Sequence, residues 1–166
     1  RQQILTQAVK SAKDFVKLDT FLENIKYGTS KKSDYEVDGV PVLRIPNIAN
    51  GFIDSNDLKF SILDKKEYET LKLLKGDILV IRSNGSVTLV GQSALVDEEH
   101  VDYVYAGYLI RIRLKENYNS KYLNYIFKSN FIRSQMIDTS RSTSGVNNIN
   151  AVEIKNSKNK PKSFPA

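Results

Sequence analysis

The 166-residue chain has no cysteine, no tryptophan, one histidine and one methionine. Without thiols there is no disulfide framework, no thiolate zinc finger, no iron–sulfur cluster and no cysteine nucleophile. The lone imidazole argues against a histidine-built metal site and an ordinary catalytic triad. His100 sits beside Glu98 and Glu99 in an acidic turn and reads as a solvent-exposed loop histidine. Apolar runs fall well short of the ~18 residues that a membrane-spanning helix needs, and no signal-peptide pattern opens the chain. Glycine-rich phosphate loops and the Gly-x-Ser-x-Gly elbow are missing too. What is present is 40% hydrophobic and 27% charged residues, the composition of a globular domain. A chain of this length buries about 68–70% of its unfolded surface and needs no staple. It fits one domain, or one domain plus a helical appendage, and its start at Arg1 inside a helical pattern reads as a fragment.

A net charge of +6 invites a nucleic-acid reading. Its location weakens that argument. Residues 1–114 hold 16 basic and 16 acidic side chains, and the whole excess lies in residues 115–166. Lys155, Lys158, Lys160 and Lys162 stand in a polar tail that reads as poorly ordered. If the domain binds nucleic acid, particular loops must do it.

Hydrophobic spacing sets out the elements. Ile4, Leu5, Ala8, Val9 and Ala12 form a short amphipathic helix stripe, and residues 15–25 suggest a strand or short helix. Residues 40–45 read as a strand ended by Pro46, followed by a loop over 47–54. Asp64 with Glu67 three residues on is an N-cap signature for a helix over 64–74. Residues 78–82 and 87–96 read as strands joined at Asn84-Gly85 by a tight connection, with a bulge or close approach at Gly91. Residues 101–114 read as one strand, with Ile110, Ile112 and Leu114 on one side and Arg111 and Arg113 on a solvated other side. A single helix over 120–138, capped by Ser120, points Leu123, Ile126, Phe127 and Phe131 inward. The class is α+β, with a twisted, mainly antiparallel or mixed sheet and flanking helices.

Chemistry-bearing residues concentrate in three polar loops. They are residues 28–33 (GTSKKS), 82–86 (RSNGS) and 141–148 (RSTSGVNN). Small residues let a backbone approach closely. Hydroxyls, backbone N–H groups and cations contact phosphate oxygens, while Asn and Arg read base edges. Soluble surface turns share this composition. One enzymatic match exists: Asp138 followed by Glu153-Ile154-Lys155 has the Asp…Glu-x-Lys spacing of Mg²⁺-dependent nucleases. A module that binds a protein partner through its N-terminal helix is the third reading.

Five segments in order carry a resemblance: 27–32 (YGTSKK), 39–48 (GVPVLRIPNI), 73–86 (LLKGDILVIRSNGS), 105–113 (YAGYLIRIR) and 143–150 (TSGVNNIN). Together they resemble the target recognition domain of the DNA specificity (S) subunit of type I restriction–modification systems, over roughly residues 18–155. Residues 1–9 (RQQILTQAV) resemble the end of the conserved spacer helix preceding such a domain. The implied organisation is 1–16 as the end of that scaffold helix, 17–155 as the recognition domain and 156–166 as a basic tail. The tail departs from the family, which continues with a Pro-rich segment and another long helix.

The resemblance implies a non-catalytic reader of one half of a bipartite sequence in double-stranded DNA. Its partners would be methyltransferase (M) and restriction (R) subunits, with self-association through the N-terminal helix. S-adenosylmethionine, ATP and Mg²⁺ would belong to those partners, with no cofactor or metal in this chain, in a prokaryotic cytoplasm. No Asn/Asp-Pro-Pro-Tyr/Phe motif of an adenine methyltransferase is present. DNA contact is then expected of Thr29, Ser30, Lys31 and Lys32, of Arg44 and Asn47, of Arg82, Ser83, Asn84 and Ser86, and of Arg141, Ser144, Asn147 and Asn148.

Overall fold

The computed structural model describes residues 16–140 and 147–159. Of the spacer helix expected over 1–16, residues 1–15 lie outside them, as do the loop residues Arg141 and Ser144, and Val16 begins a strand. The described residues form an α+β domain around a four-stranded antiparallel sheet. Its strands are β2 (Leu22–Tyr27), β9 (Leu109–Leu114), β5 (Ile78–Ile81) and β7 (Ser93–Leu95), in that spatial order. A second sheet orders β4 (Lys59–Ser61), β3 (Val40–Leu43) and β8 (Val104–Tyr105), antiparallel and then parallel. Two short ribbons complete the strands. β6 (Ser83–Asn84) pairs with β10 (Asn147–Asn148), and β1 (Val16–Lys17) pairs with β11 (Lys158–Asn159).

Strand periodicity decides the layering. Along β5 all four residues are buried, yet they serve two cores. Ile78 and Val80 join Ile110 and Ile112 under the helices α3 (Ser120–Phe127) and α4 (Asn130–Ser140). Leu79 and Ile81 join Val42, Leu43, Val104 and Tyr105 of the small sheet. The central sheet is covered on both faces, and each fully buried Leu or Ile there stabilises by about 1.5–3 kcal/mol.

Both faces being covered also moves the arginines inward. Arg111 is 1% exposed and donates to the carbonyls of Thr70 and Lys72 and to Asn24 Oδ1. It thereby satisfies carbonyls left open at the end of α2 (Lys65–Leu71). Arg113 donates through Nε and Nη2 to the two carboxylate oxygens of buried Asp77, at 2.7 Å each. The expected solvated arginine face is therefore a polar seam inside the protein. His100 is likewise buried, not exposed: its ring bonds Asp97 through Nδ1 and packs edge-on to Tyr103.

Several element boundaries differ from the sequence expectation for local reasons. Asp64 caps α2 as expected, accepting from Glu67 N at 2.9 Å. Residues 18–21 make a 3-10 turn before β2. Strand β3 stops at Leu43, and Pro46 lies inside a helical turn, α1 (Ile45–Ile48), where a missing N–H near the helix start costs nothing. The 120–138 helix is two helices, because the buried Ser129 hydroxyl donates to Ile126 O at the end of α3 and accepts from Ile132 N at the start of α4. Asn119, one residue before Ser120, is the cap of α3. The 101–114 strand breaks at Ala106–Tyr108 into β8 and β9. The 78–96 hairpin is not tight: β5 and β7 are joined by the long segment 82–92, Gly85 has no positive φ, and that conformation belongs to Gly91 instead.

The start of the basic tail is part of the fold. α5 (Ala151–Asn156) is closed by an Asn150/Glu153 capping box, and β11 follows it to pair with β1. The domain's first and last described strands are thus neighbours. Among the described residues no helix is long and apolar enough to cross a membrane.

Candidate nucleic-acid interface

The first wall of the site is built by a glycine. After β2 ends at Tyr27, the chain passes so close to β8 that a Cβ on Gly28 would lie 2.2 Å from Tyr105 O. Thr29 N donates to Tyr105 O (2.9 Å) and Gly107 N donates to Thr29 O (2.7 Å), stitching residues 28–29 to 105–107. Thr29 is buried, and its hydroxyl donates to Glu67 Oε1 at 2.6 Å. Lys31 Nζ reaches the other oxygen of the same carboxylate at 2.9 Å. The Thr29 hydroxyl and then Lys31 hold the Glu67 carboxyl below its usual range, and the bond to Glu67 raises the Lys31 ammonium. Ser30 is exposed, and Lys32 pairs loosely with Asp34 at 3.3 Å.

Arg44 and Asn47 form the second wall with unequal roles. Arg44 Nη2 donates to Asp57 Oδ2 at 2.9 Å, while Tyr35 donates its hydroxyl to Oδ1 at 2.8 Å. Those two bonds, Tyr35 first, hold the Asp57 carboxyl low. Asn47 is only 2% exposed: its Oδ1 accepts from Arg44 N, and its Nδ2 donates to the carbonyls of Asp54 and Asp57. Every part of the Asn47 amide closes the loop behind the wall, and Asn47 does not itself line the cleft.

The third wall centres on Arg82. Its guanidinium carbon lies 4.8 Å from the centroid of the Tyr27 ring, Nη1 donates to Gly107 O and Nη2 donates to Asn148 Oδ1 at 3.1 Å. Ser83 and Asn84 pair with Asn148 and Asn147, so the distant 147–148 segment lies on this wall. Asn84 Oδ1 accepts from Ser86 N, and Asn147 Nδ2 donates to Gly85 O at 3.1 Å.

These walls enclose one polar cleft of about 800 Å³. Thr29, Ser30, Lys31, Lys32, Arg44, Arg82 and Ser83 all line it. Asn84, Asn147 and Asn148 adjoin it through the β6–β10 ribbon, and Ser86 stands just beyond. The sequence reasoning missed Tyr27 and Tyr108, which line the cleft with 43% and 63% of their surface exposed. Both stand next to a glycine inside segments already recognisable as motifs, and an aromatic beside a small-residue turn was the available signal. Lys31, Lys32 and Arg44 each have a carboxylate partner. Arg82 has only neutral partners among the described residues, so its charge is the least compensated in the cleft. Such a surface suits hydrogen-bond and stacking recognition of a polyanion.

The nuclease trio is divided: Asp138 and Glu153 line one cleft of about 590 Å³, and Lys155 does not line it. Glu153 Oε2 accepts from Asn150 N in the α5 cap, and Lys155 pairs with Asp19 at 3.2 Å on another side of that helix. Among the described residues no group of three or more His, Cys, Asp or Glu is placed to hold a metal.

No family model matches the chain. It is 33% identical to the EcoKI specificity subunit of Escherichia coli K12 over 138 residues, which is 82% of this chain and 30% of that protein. It is 30% identical to the StySPI specificity subunit of Salmonella potsdam over 130 residues, 77% of this chain and 28% of that one. The chain is a target recognition domain of the type I specificity-subunit family. The recognition domain spans less than a third of either relative's length. Its fold is shared with the HsdS subunit of Thermoanaerobacter tengcongensis (TM-score 0.63, 14% identity, covering 95% of this chain and 36% of that one). The S subunit of M. genitalium is similar at TM-score 0.55 and 13% identity, over 87% of this chain and 33% of that one.

Proposed function

We propose that the recognition domain reads one half of a bipartite sequence in double-stranded DNA, as part of a type I specificity subunit. The convergence of three sequence-distant loops on one polar cleft supports this reading, since a lone polar turn would not require it. In this reading Ser30, Lys31 and Lys32 hold phosphate oxygens, and a phosphate entering the cleft competes with Glu67 and Asp34 for the lysines. Arg44, Arg82, Ser83, Asn84, Asn147 and Asn148 face the bases or their flanking sugars, with Ser86 beside them; for Arg141 and Ser144 the DNA contact rests on the sequence resemblance. Thr29 orients the lysine loop through Glu67. The domain does no bond chemistry itself. Methyltransferase and restriction subunits dock elsewhere on the longer chain and bring S-adenosylmethionine, ATP and Mg²⁺, in the cytoplasm of a prokaryote.

Methylome sequencing of cells carrying the full subunit with its methyltransferase partner tests this. A bipartite methylated motif is expected, and exchanging residues 17–155 for the matching stretch of a relative should change one half of it. An unchanged motif after the exchange would refute the assignment.

A further inference from the structure

The two segments that wall the recognition cleft also meet a second time. The Arg44–α1 segment runs on to Asn50 and Gly51, and the 82–92 segment runs on to Thr88 and Gln92. There they enclose a separate cleft of about 530 Å³ with Lys128, Asn130 and Arg133 of the α3–α4 corner. We propose that this second cleft seats a backbone phosphate of the DNA duplex read in the first, an inference that rests on the DNA-reading assignment above.

The chemistry of the lining points to a phosphodiester. Two cations and four uncharged polar side chains line it, with no carboxylate and no aromatic ring. The recognition cleft differs in its exposed tyrosines, and its lysines are paired with Glu67 and Asp34 from outside its lining. Without an aromatic ring the second cleft offers a base no stacking platform, and without a carboxylate it offers a metal cation no anionic ligand.

Arg133 is half-buried and held by carbonyls rather than by an acid. It donates from Nη1 to Val90 O at 2.6 Å and from Nη2 to Thr88 O. Two of its five N–H donors are used, and three are left for an anion. Lys128 Nζ donates to Gly51 O at 2.7 Å, which fixes the ammonium on the wall made by Gly51. The side-chain amides of Asn50, Gln92 and Asn130 make no hydrogen bond among the described residues, so each has donors to offer. Burial lowers the pKa of both the Lys128 ammonium and the Arg133 guanidinium, a cost to the charged forms that an arriving anion would offset. Preorganised cations and amides around an accessible hollow are what phosphate oxygens require. Placed at the far ends of the loops that read the bases, such a seat would fix the duplex register.

The test uses the full specificity subunit assembled with its methyltransferase. Two labelled duplexes of equal length serve as probes, one carrying the methylated motif and one shuffled. Lys128→Gln and Asn130→Asp are compared with the wild type across a range of salt concentration. Asn130 is exposed, so the second variant adds an anion without disturbing packing. Each variant is expected to weaken both duplexes by the same factor, about three- to tenfold at 0.1 M salt. For Lys128→Gln the slope of log affinity against log salt should fall in magnitude by about one. Unchanged affinity and slope in both variants would overturn the seat, as would a loss confined to the motif duplex, which would mean base reading. If the wild-type complex binds neither duplex, the DNA-reading assignment itself fails and takes the seat with it. Silent variants in a complex that does bind DNA remove the seat alone.

Discussion

The Arg82 guanidinium lies over the Tyr27 ring at 4.8 Å and is tied at the same time to Asn148, 66 residues further along the chain. The contact joins the first and last described segments of the cleft through one side chain. A stacked, hydrogen-bonded guanidinium has lost much of its rotamer freedom before any ligand arrives, and preorganisation of that kind lowers the entropic cost of binding.

Replacing Arg82 or Asn148 by alanine should therefore weaken motif binding by about 1–3 kcal/mol while leaving binding to shuffled DNA nearly as it was. Titration of the assembled complex with both duplexes checks this. A uniform loss would assign these side chains to phosphate contact.

Two glycines separate backbone necessity from habit. Gly28→Ala places a Cβ 2.2 Å from Tyr105 O, so the cleft wall must move, at a cost of about 1–3 kcal/mol or more. Gly85→Ala meets nothing within 4 Å and requires no left-handed backbone. It should be neutral or stabilise by up to about 1 kcal/mol by restricting the unfolded chain. Thermal unfolding of the two variants should show a clear fall in Tm for the first and little change for the second.

The Asp77–Arg113 pair is structural. Asp77→Ala leaves a mostly buried guanidinium uncompensated and removes an acceptor for Leu74 N. A loss of about 3–5 kcal/mol in urea unfolding is expected, and the double replacement Asp77→Ala with Arg113→Met should recover part of it.

Acid should loosen the lysine loop before it unfolds the core. Thr29 and Lys31 hold Glu67 below its ordinary value of 4.5, so this carboxylate favours the folded loop above that value. The contribution fades as pH falls through the lowered folded value. Protection of the backbone amides at residues 29–32, taken relative to the intrinsic exchange rate at each pH, should fall over that acidic window. Glu67→Gln should lower that protection already at neutral pH and remove most of its further fall in acid.

Much of the fold was legible in the sequence because its signals are local. Asp64 with Glu67 announced α2, the apolar run at 78–82 announced a strand, and alternation along 109–114 separated Ile110 and Ile112 from Arg111 and Arg113. The failures share one cause. Whether the arginine side of β9 meets water depends on whether a second layer covers it, and strand period carries no information about that. His100 failed in the same way: its acidic neighbours suggested exposure, while Tyr103 and the packing around it decided burial.

The sequence by itself determined the class, the family resemblance and most of the polar loops, because residue type and spacing act over one or two turns of chain. It could not separate Asn47, which closes a loop, from Asn148, which bonds Arg82 beside the cleft, since both are asparagines in polar segments. It also could not bring residues 27–33, 44, 82–83 and 106–108 around one hollow, or set Lys128 against Arg133 across another. Those juxtapositions come from strand order and from burial on both sheet faces. They are long-range packing relations, decided only when the chain closes on itself.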